Sequence, residues 1–148
     1  MSRGKKLSPR IERVQALEGN RLSLRWIGGQ RATVDLSRDL ARYKSLAPLR
    51  KAAVFRQVAL GEGGHSVVWP SGLDIGADSL WRDSLIALGH VDAVTFNDWR
   101  MAHGLTLDKA AEALGLSRRM VAYYSSGEKP VPKTVLLACR GWEAAHAA

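Results

Sequence analysis

The hydrophobic period changes along the chain, and that change limits what it can fold into. Through residue 36 apolar residues fall at alternate positions: RLSLRWI through Leu22, Leu24 and Trp26, RATVDL through Ala32, Val34 and Leu36, and IERVQAL less regularly through Ile11, Val14 and Leu17. A period of two sends successive side chains to opposite faces of a strand. EGN (18–20) and GGQ (28–30) have the chemistry of tight turns, so three strands in an antiparallel meander are predicted. At ADSLWRDSLIALG the spacing becomes helical: Leu80, Leu85 and Leu88 with Trp81 mark one stripe, Asp78 can cap it and Gly89 can end it. Between these regions Ser37 is expected to cap a short helix through Tyr43. LAPLRKAAVF reads as an irregular connection or one helical turn. FRQVAL and HSVVW read as short strands around GEGG, and Pro70, Gly72 and Gly76 break regular structure.

From Thr95 onward every segment reads as helix. Thr95 with Asp98 has the form of a capping box ahead of FNDWRMAH, which stops at Gly104. Thr106 opens a second helix whose Leu107, Ala110, Ala111 and Leu114 fall at i, i+3, i+4 and i+7. Gly115 permits a sharp turn, and Ser117 caps a third helix from Arg118 to about Ser125. After the loop SGEKPVP, Pro132 occupies the first turn of a last helix with Val135, Leu136, Cys139 and Trp142 on its buried stripe. The expected fold class is α+β. A small antiparallel-sheet domain with one or two helices covers 1–90, an all-α domain covers 91–148, and the junction falls at 89–95.

With 148 residues, 46% of them hydrophobic and 24% charged, the chain has the apolar material for a core and room for two small domains. No apolar run approaches the roughly 18 residues that a membrane span needs. The basic start MSRGKKLSPR lacks a hydrophobic segment behind it and does not read as a secretory signal, so a cytoplasmic location is expected. Cys139, the single cysteine, excludes an intramolecular disulfide and a cysteine-only metal cage, and its place on an apolar stripe implies packing. The formal charge is +8, unevenly spread: residues 1–56 hold 14 Lys and Arg against 4 Asp and Glu, whereas residues 57–94 hold 1 against 5. Either the front half approaches an anionic polymer or it is an ordinary basic surface.

The third helix carries the most specific chemistry. Two helices joined through Gly115 and a serine cap, with alanines at their close approach, form the frame of a helix-turn-helix, whose second helix enters the DNA major groove. With Leu116, Val121 and Tyr124 facing the core, Arg118, Arg119 and Tyr123 are left outward. An arginine fork matches the acceptor pair of guanine, so Arg118 and Arg119 are the candidate base readers. Tyr123 either joins them at a thymine methyl or phosphate or packs on its neighbours. Ser117, at a helix N-terminus that favours anions, and Lys129 and Lys133 around the following loop are candidate phosphate contacts.

The stretch GLTLDKAAEALGLSRRMVAYYSSGEKPVP resembles the Cro/cI-type helix-turn-helix of phage repressors over roughly residues 95–142. The resemblance implies sequence-specific binding of double-stranded DNA by a homodimer, with no cofactor. One departure is Leu107, which stands where that family commonly places a glutamine on the DNA backbone, so one phosphate clamp is missing. VVWPSGLDIGADSLW is similar to a small bacterial domain of uncharacterised function, found alone, fused to helix-turn-helix modules and beside toxin-antitoxin gene pairs. That likeness implies a binding module over residues 10–85 for a toxin-like protein partner, the chain then being a transcriptional regulator or an autoregulating antitoxin. The alternatives are a protein-interaction adaptor with a degenerate helix-turn-helix, as Leu107 would permit, and an RNA-binding protein driven by the basic front half.

Catalysis is not expected. His65 and Ser66 are strand neighbours pointing to opposite faces. His90, His103 and His146 lack metal-ligand spacing. GEGG lacks the lysine and hydroxyl of a phosphate loop, and Asp74 and Asp78 suit a turn and a cap. Of the five tryptophans, all expected mainly in cores, Trp69 before its Pro-Ser-Gly turn is the best candidate for an exposed platform.

Overall fold

The computed structural model describes residues 7–147, and the basic opening MSRGKK lies outside them. The chain is α+β, strands first and helices after, and divides into two units: Ser8–Ala87, and Leu88–Ala148 to which Leu7 belongs.

In the first unit β1 (Ile11–Leu17), β2 (Arg21–Trp26) and β3 (Arg31–Asp35) form the antiparallel meander that alternation predicts, in the order β1-β2-β3. Leu22, Leu24, Trp26, Ala32 and Val34 are buried on one face. Helix α3 (Ala77–Ala87) packs against β3 and contributes Leu80, Trp81 and Leu85 to the core. Trp26 meets Trp81 edge to face at 4.9 Å and donates its indole N–H to Ser84 Oγ at 3.2 Å. The Ser84 hydroxyl in turn donates to Leu80 O, so both polar groups are satisfied without water.

Between β3 and α3 the chain is more regular than its sequence suggests. Helix α1 (Ser37–Arg42) is followed by a 3₁₀ stretch at Lys44–Arg50 and the single turn α2 (Ala52–Phe55). A second antiparallel sheet joins β4 (Ala59–Leu60), β5 (Ser66–Val68) and β6 (Asp74–Gly76) in that order. Five expectations are corrected here. Ser37 does not cap α1 with its side chain; its amide and hydroxyl both donate to Asp35 Oδ1, at 2.9 and 2.6 Å. Those bonds, the hydroxyl's first, hold the Asp35 carboxyl below its ordinary range. FRQVAL yields only a two-residue strand, because Phe55 closes α2. The segment about Gly76, read as a break, pairs as β6 with β5. Trp69 is no exposed platform: it is buried, 5.9 Å from Phe55 between ring centroids, and donates to Phe55 O at 3.0 Å. Asp78 lies inside the first turn of α3, where it accepts from Ser8 N at 3.0 Å.

The second unit is α4 (Val91–Ala102), α5 (Leu107–Leu114), α6 (Arg118–Ser126) and α7 (Lys133–Ala145). Helix α4 starts four residues earlier than the Thr95 cap expected from sequence. Thr95 sits within it and donates to Val91 O at 3.2 Å. Phe96, Trp99, Ala110, Ala111, Val121, Tyr124, Val131 and Cys139 form the buried core, with Val135, Leu136 and Trp142 packed against it. Burial pushes the Cys139 thiol up to about 11, with the charge of Glu143 adding to the effect.

Two predictions test this packing. Gly64, at φ +74°, lies so close to β1 that a Cβ would collide with the Ile11 carbonyl. Gly64→Ala should therefore cost more than about 2 kcal/mol by combining left-handed strain with overpacking, read as a lowered urea midpoint. Cys139 should resist a thiol reagent at pH 8 in the native protein and react at once in denaturant, because only the thiolate is nucleophilic. Its raised pKa also means that stability is intact below the ordinary thiol value of 9.0 and is lost as pH rises toward about 11.

Candidate nucleic-acid interface

The geometry around α6 begins with its ends. Thr106 accepts from Lys109 N and starts α5; Gly115, at φ +69°, ends it in the left-handed region that an L side chain resists; Ser117 accepts from Met120 N at 3.1 Å and starts α6. The three residues Gly115, Leu116 and Ser117 thus separate helices that pack closely, since Ala110 and Ala111 are buried where larger side chains would hold them apart. Val121 and Tyr124 fix the inner face of α6, and Leu107 and Leu116 lie half-buried against the same core. Leu107 therefore serves packing.

The opposite face is cationic. Arg118 and Arg119 are exposed in the first turn. Arg118 Nε stands 3.0 Å from Asp108 Oδ1, both side chains largely solvent-accessible at 63% and 74%. Arg119 Nε donates to the Tyr123 hydroxyl at 2.8 Å, its guanidinium 5.5 Å from the ring centroid, and Lys129 Nζ lies 4.5 Å from the same centroid. Tyr123 is thus contacted by two cations, which the negative face of its ring attracts. Of the residues singled out from sequence, Arg119, Tyr123 and Lys129 come together, with Ser117 and Arg118 at the adjoining helix start. Lys133 is exposed at the first residue of α7, and no hydrogen bond, ion pair or ring contact among the described residues joins it to this group.

Sequence reasoning missed what holds α6 from behind. Arg100 is 1% exposed, and its guanidinium donates to Asn97 Oδ1, Leu105 O, Leu7 O and Ser125 Oγ at 2.8 to 3.2 Å. Asn97 Nδ2 donates to Ser125 O at 2.8 Å while Ser125 Oγ donates to Asn97 Oδ1 at 2.8 Å, so the pair clasps the last turn of α6 from α4. Asp92 Oδ2 accepts from Val131 N at 2.6 Å and ties the loop after α6 to the start of α4. A signal existed: Asn97 and Arg100 stand four and seven residues after Ala93, on the buried stripe of their helix.

These features define a two-unit α+β protein: one unit bears small antiparallel sheets, and the other is helical and displays an anchored cationic helix. The chain belongs to the family described as a protein of unknown function (DUF2442), which matches residues 11–84. Along nearly its full length it is also similar to a solved structure, that of the putative DNA binding protein NE0471 from Nitrosomonas europaea. The identity is 38%, 93% of this chain and 88% of that one are covered, and the TM-score is 0.66. No curated protein matches the chain. No helix among the described residues is long and apolar enough to cross a membrane.

The clasp yields a prediction. Asn97→Ala removes the acceptor shared by Arg100 and Ser125 and should cost about 2–4 kcal/mol, because buried polar groups then lose partners. Urea unfolding measures it; a loss under about 1 kcal/mol would mean that the clasp does not secure α6.

Proposed function

We propose that this protein binds double-stranded DNA sequence-specifically and regulates transcription, with α6 as the helix that enters the major groove. The observation that carries this reading is the pair of exposed arginines on the first turn of a helix capped at Ser117 and clasped at Ser125. In a helix-turn-helix the N-terminal residues of the second helix lead into the groove. The description of the Nitrosomonas europaea protein, which resembles this chain along most of its length, as a putative DNA binding protein points the same way.

Energies decide whether Arg118 is free to act. An exposed ion pair such as Arg118–Asp108 is worth about 0.2–1 kcal/mol, whereas a bidentate contact to guanine is worth about 1–3 kcal/mol of discrimination. The pair can therefore open in favour of a base. Asp108 serves meanwhile to offset a cation placed at the positive end of a helix dipole. Arg119 reads the neighbouring base while its bond to the Tyr123 hydroxyl limits its rotamers, so less freedom is lost on contact. Ser117, the first amides of α6, Lys129 and Lys133 hold phosphates and fix register without reading sequence. A homodimer suits this use, since two half-sites one helical turn apart need two copies of α6.

Selection of bound sequences from a random duplex pool should return a consensus. Replacing Arg118 and Arg119 together by alanine should lower the preference for that consensus over random duplex by at least about tenfold, as the loss of even one good base contact would. An equal loss on every sequence would confine the two arginines to phosphate. A weak response that hardly changes with salt would favour a protein-interaction adaptor instead.

A further inference from the structure

The unit formed by Ser8–Ala87 has a concentration of charge that α6 does not explain. In the meander Arg13 is the register partner of Arg25, and Arg25 of Arg31, so three arginines form one row across three strands on the face opposite the core. Directly opposed residues have Cα atoms about 4.5–5.5 Å apart, and like charges so placed destabilise a sheet. Packing gives no compensation, since the row lies outside the core. It borders an open groove of about 510 Å³, shared with Gln15 and Ser23.

The local backbone adds to this arrangement. A register shift between Ile11 and Arg13 makes Glu12 the extra residue of a bulge, a device that re-aims side chains. It leaves Glu12 and Arg13 both exposed, with Glu12 Oε1 2.8 Å from Arg25 Nε. Gly64, packed on the Ile11 backbone, holds that irregularity in place. Asp35, the acidic residue at the far end of β3, is already engaged by Ser37.

The geometry points to this arginine row as a binding surface for the phosphodiester backbone of duplex DNA. The row spans two inter-strand spacings, about 10 Å, and duplex DNA carries one negative charge per about 1.7 Å of axis, so several phosphates lie within reach of three guanidiniums. Arginine forks match phosphate oxygens in pairs, while Gln15 and Ser23 supply further donors. The outward residues of the three strands include no aromatic ring, and unpaired bases are held chiefly by stacking on such rings. That favours a duplex over a single strand. The Glu12–Arg25 pair is only partly exposed, at 41% and 45% of the two side chains, and it is an ion pair without a well-aligned hydrogen bond, so it can yield to a phosphate. This inference rests on the reading of the chain as a DNA-binding protein but not on α6.

The test uses the full chain and a duplex of random sequence, titrated at several salt concentrations. Arg13, Arg25 and Arg31 replaced together by glutamine should reduce the log-log salt slope by about 2 to 3, since each phosphate contributes about 0.9, and should leave any consensus preference unchanged. The same three positions replaced by lysine should keep most of the slope. A control triple at exposed Arg38, Arg42 and Arg56 should change it much less, and an equal fall there would overturn the proposal by reducing it to net charge. Thermal unfolding of each variant guards against misfolding, and relief of like-charge repulsion should leave the glutamine triple at least as stable as the parent. Competition by single-stranded DNA or polyglutamate as effective as that by duplex would also overturn it. Repeating the titrations with Arg118→Ala and Arg119→Ala separates the two readings. A slope that falls on loss of the row in both backgrounds sustains the row whatever α6 does. An unchanged slope overturns the row and leaves α6 standing, and no duplex binding by the parent chain overturns both.

Discussion

A buried guanidinium has to be surrounded by acceptors, and in the helical unit that requirement organises the rest. Leaving such a charge unsatisfied costs more than most single packing contacts return. Arg100 meets the requirement with a side chain on its own helix, a carbonyl from the turn before α5, a hydroxyl at the end of α6 and the carbonyl of Leu7. Each acceptor comes from a different piece of chain, so displacing one of them strands the charge. The apolar core around Phe96, Trp99 and Tyr124 supplies bulk stabilisation, but apolar contacts are not directional. Hydrogen bonds through Asn97 and Arg100 are, and they specify where α6 ends.

Anchorage and exposure complement each other on α6. Its inner face is closed by Val121 and Tyr124, its last turn is clasped, and its first turn carries Ser117, Arg118 and Arg119 outward. The interactions that orient the two arginines, one to Asp108 and one to Tyr123, lie at the surface, where each is worth little against water. Such contacts order a side chain without committing it. The same balance recurs in the first unit, where Glu12 holds Arg25 only loosely within a row that repels itself.

Much of this organisation was legible in the amino-acid sequence because it is local. Alternation in RLSLRWI and RATVDL set the faces of β2 and β3, the Thr106 and Ser117 caps and the Gly115 turn set the frame of α5 and α6, and the stripe on α7 set its inner side. Weak points lay where local signals were ambiguous. Gly76 read as a break because glycine is permissive, and only pairing with β5 makes it a strand. Thr95 had the form of a cap, yet the preceding Val91–Val94 segment joins the helix once Ala93 and Val94 have a core to enter. Trp69 beside a turn could have faced either way, and the Phe55 carbonyl decided the matter.

What the sequence determined by itself was the period of each segment, the positions of its caps and turns, and the presence of twin arginines at the start of α6. These depend on residues within about four positions of one another, the range over which helix and turn chemistry acts. Only the tertiary structure decided that Asn97, Arg100 and Ser125 share one buried hydrogen-bonded cluster, and that Arg13, Arg25 and Arg31 stand in a single row. In both cases the partners are separated in sequence, and strand register or helix packing must bring them within reach before their charges interact.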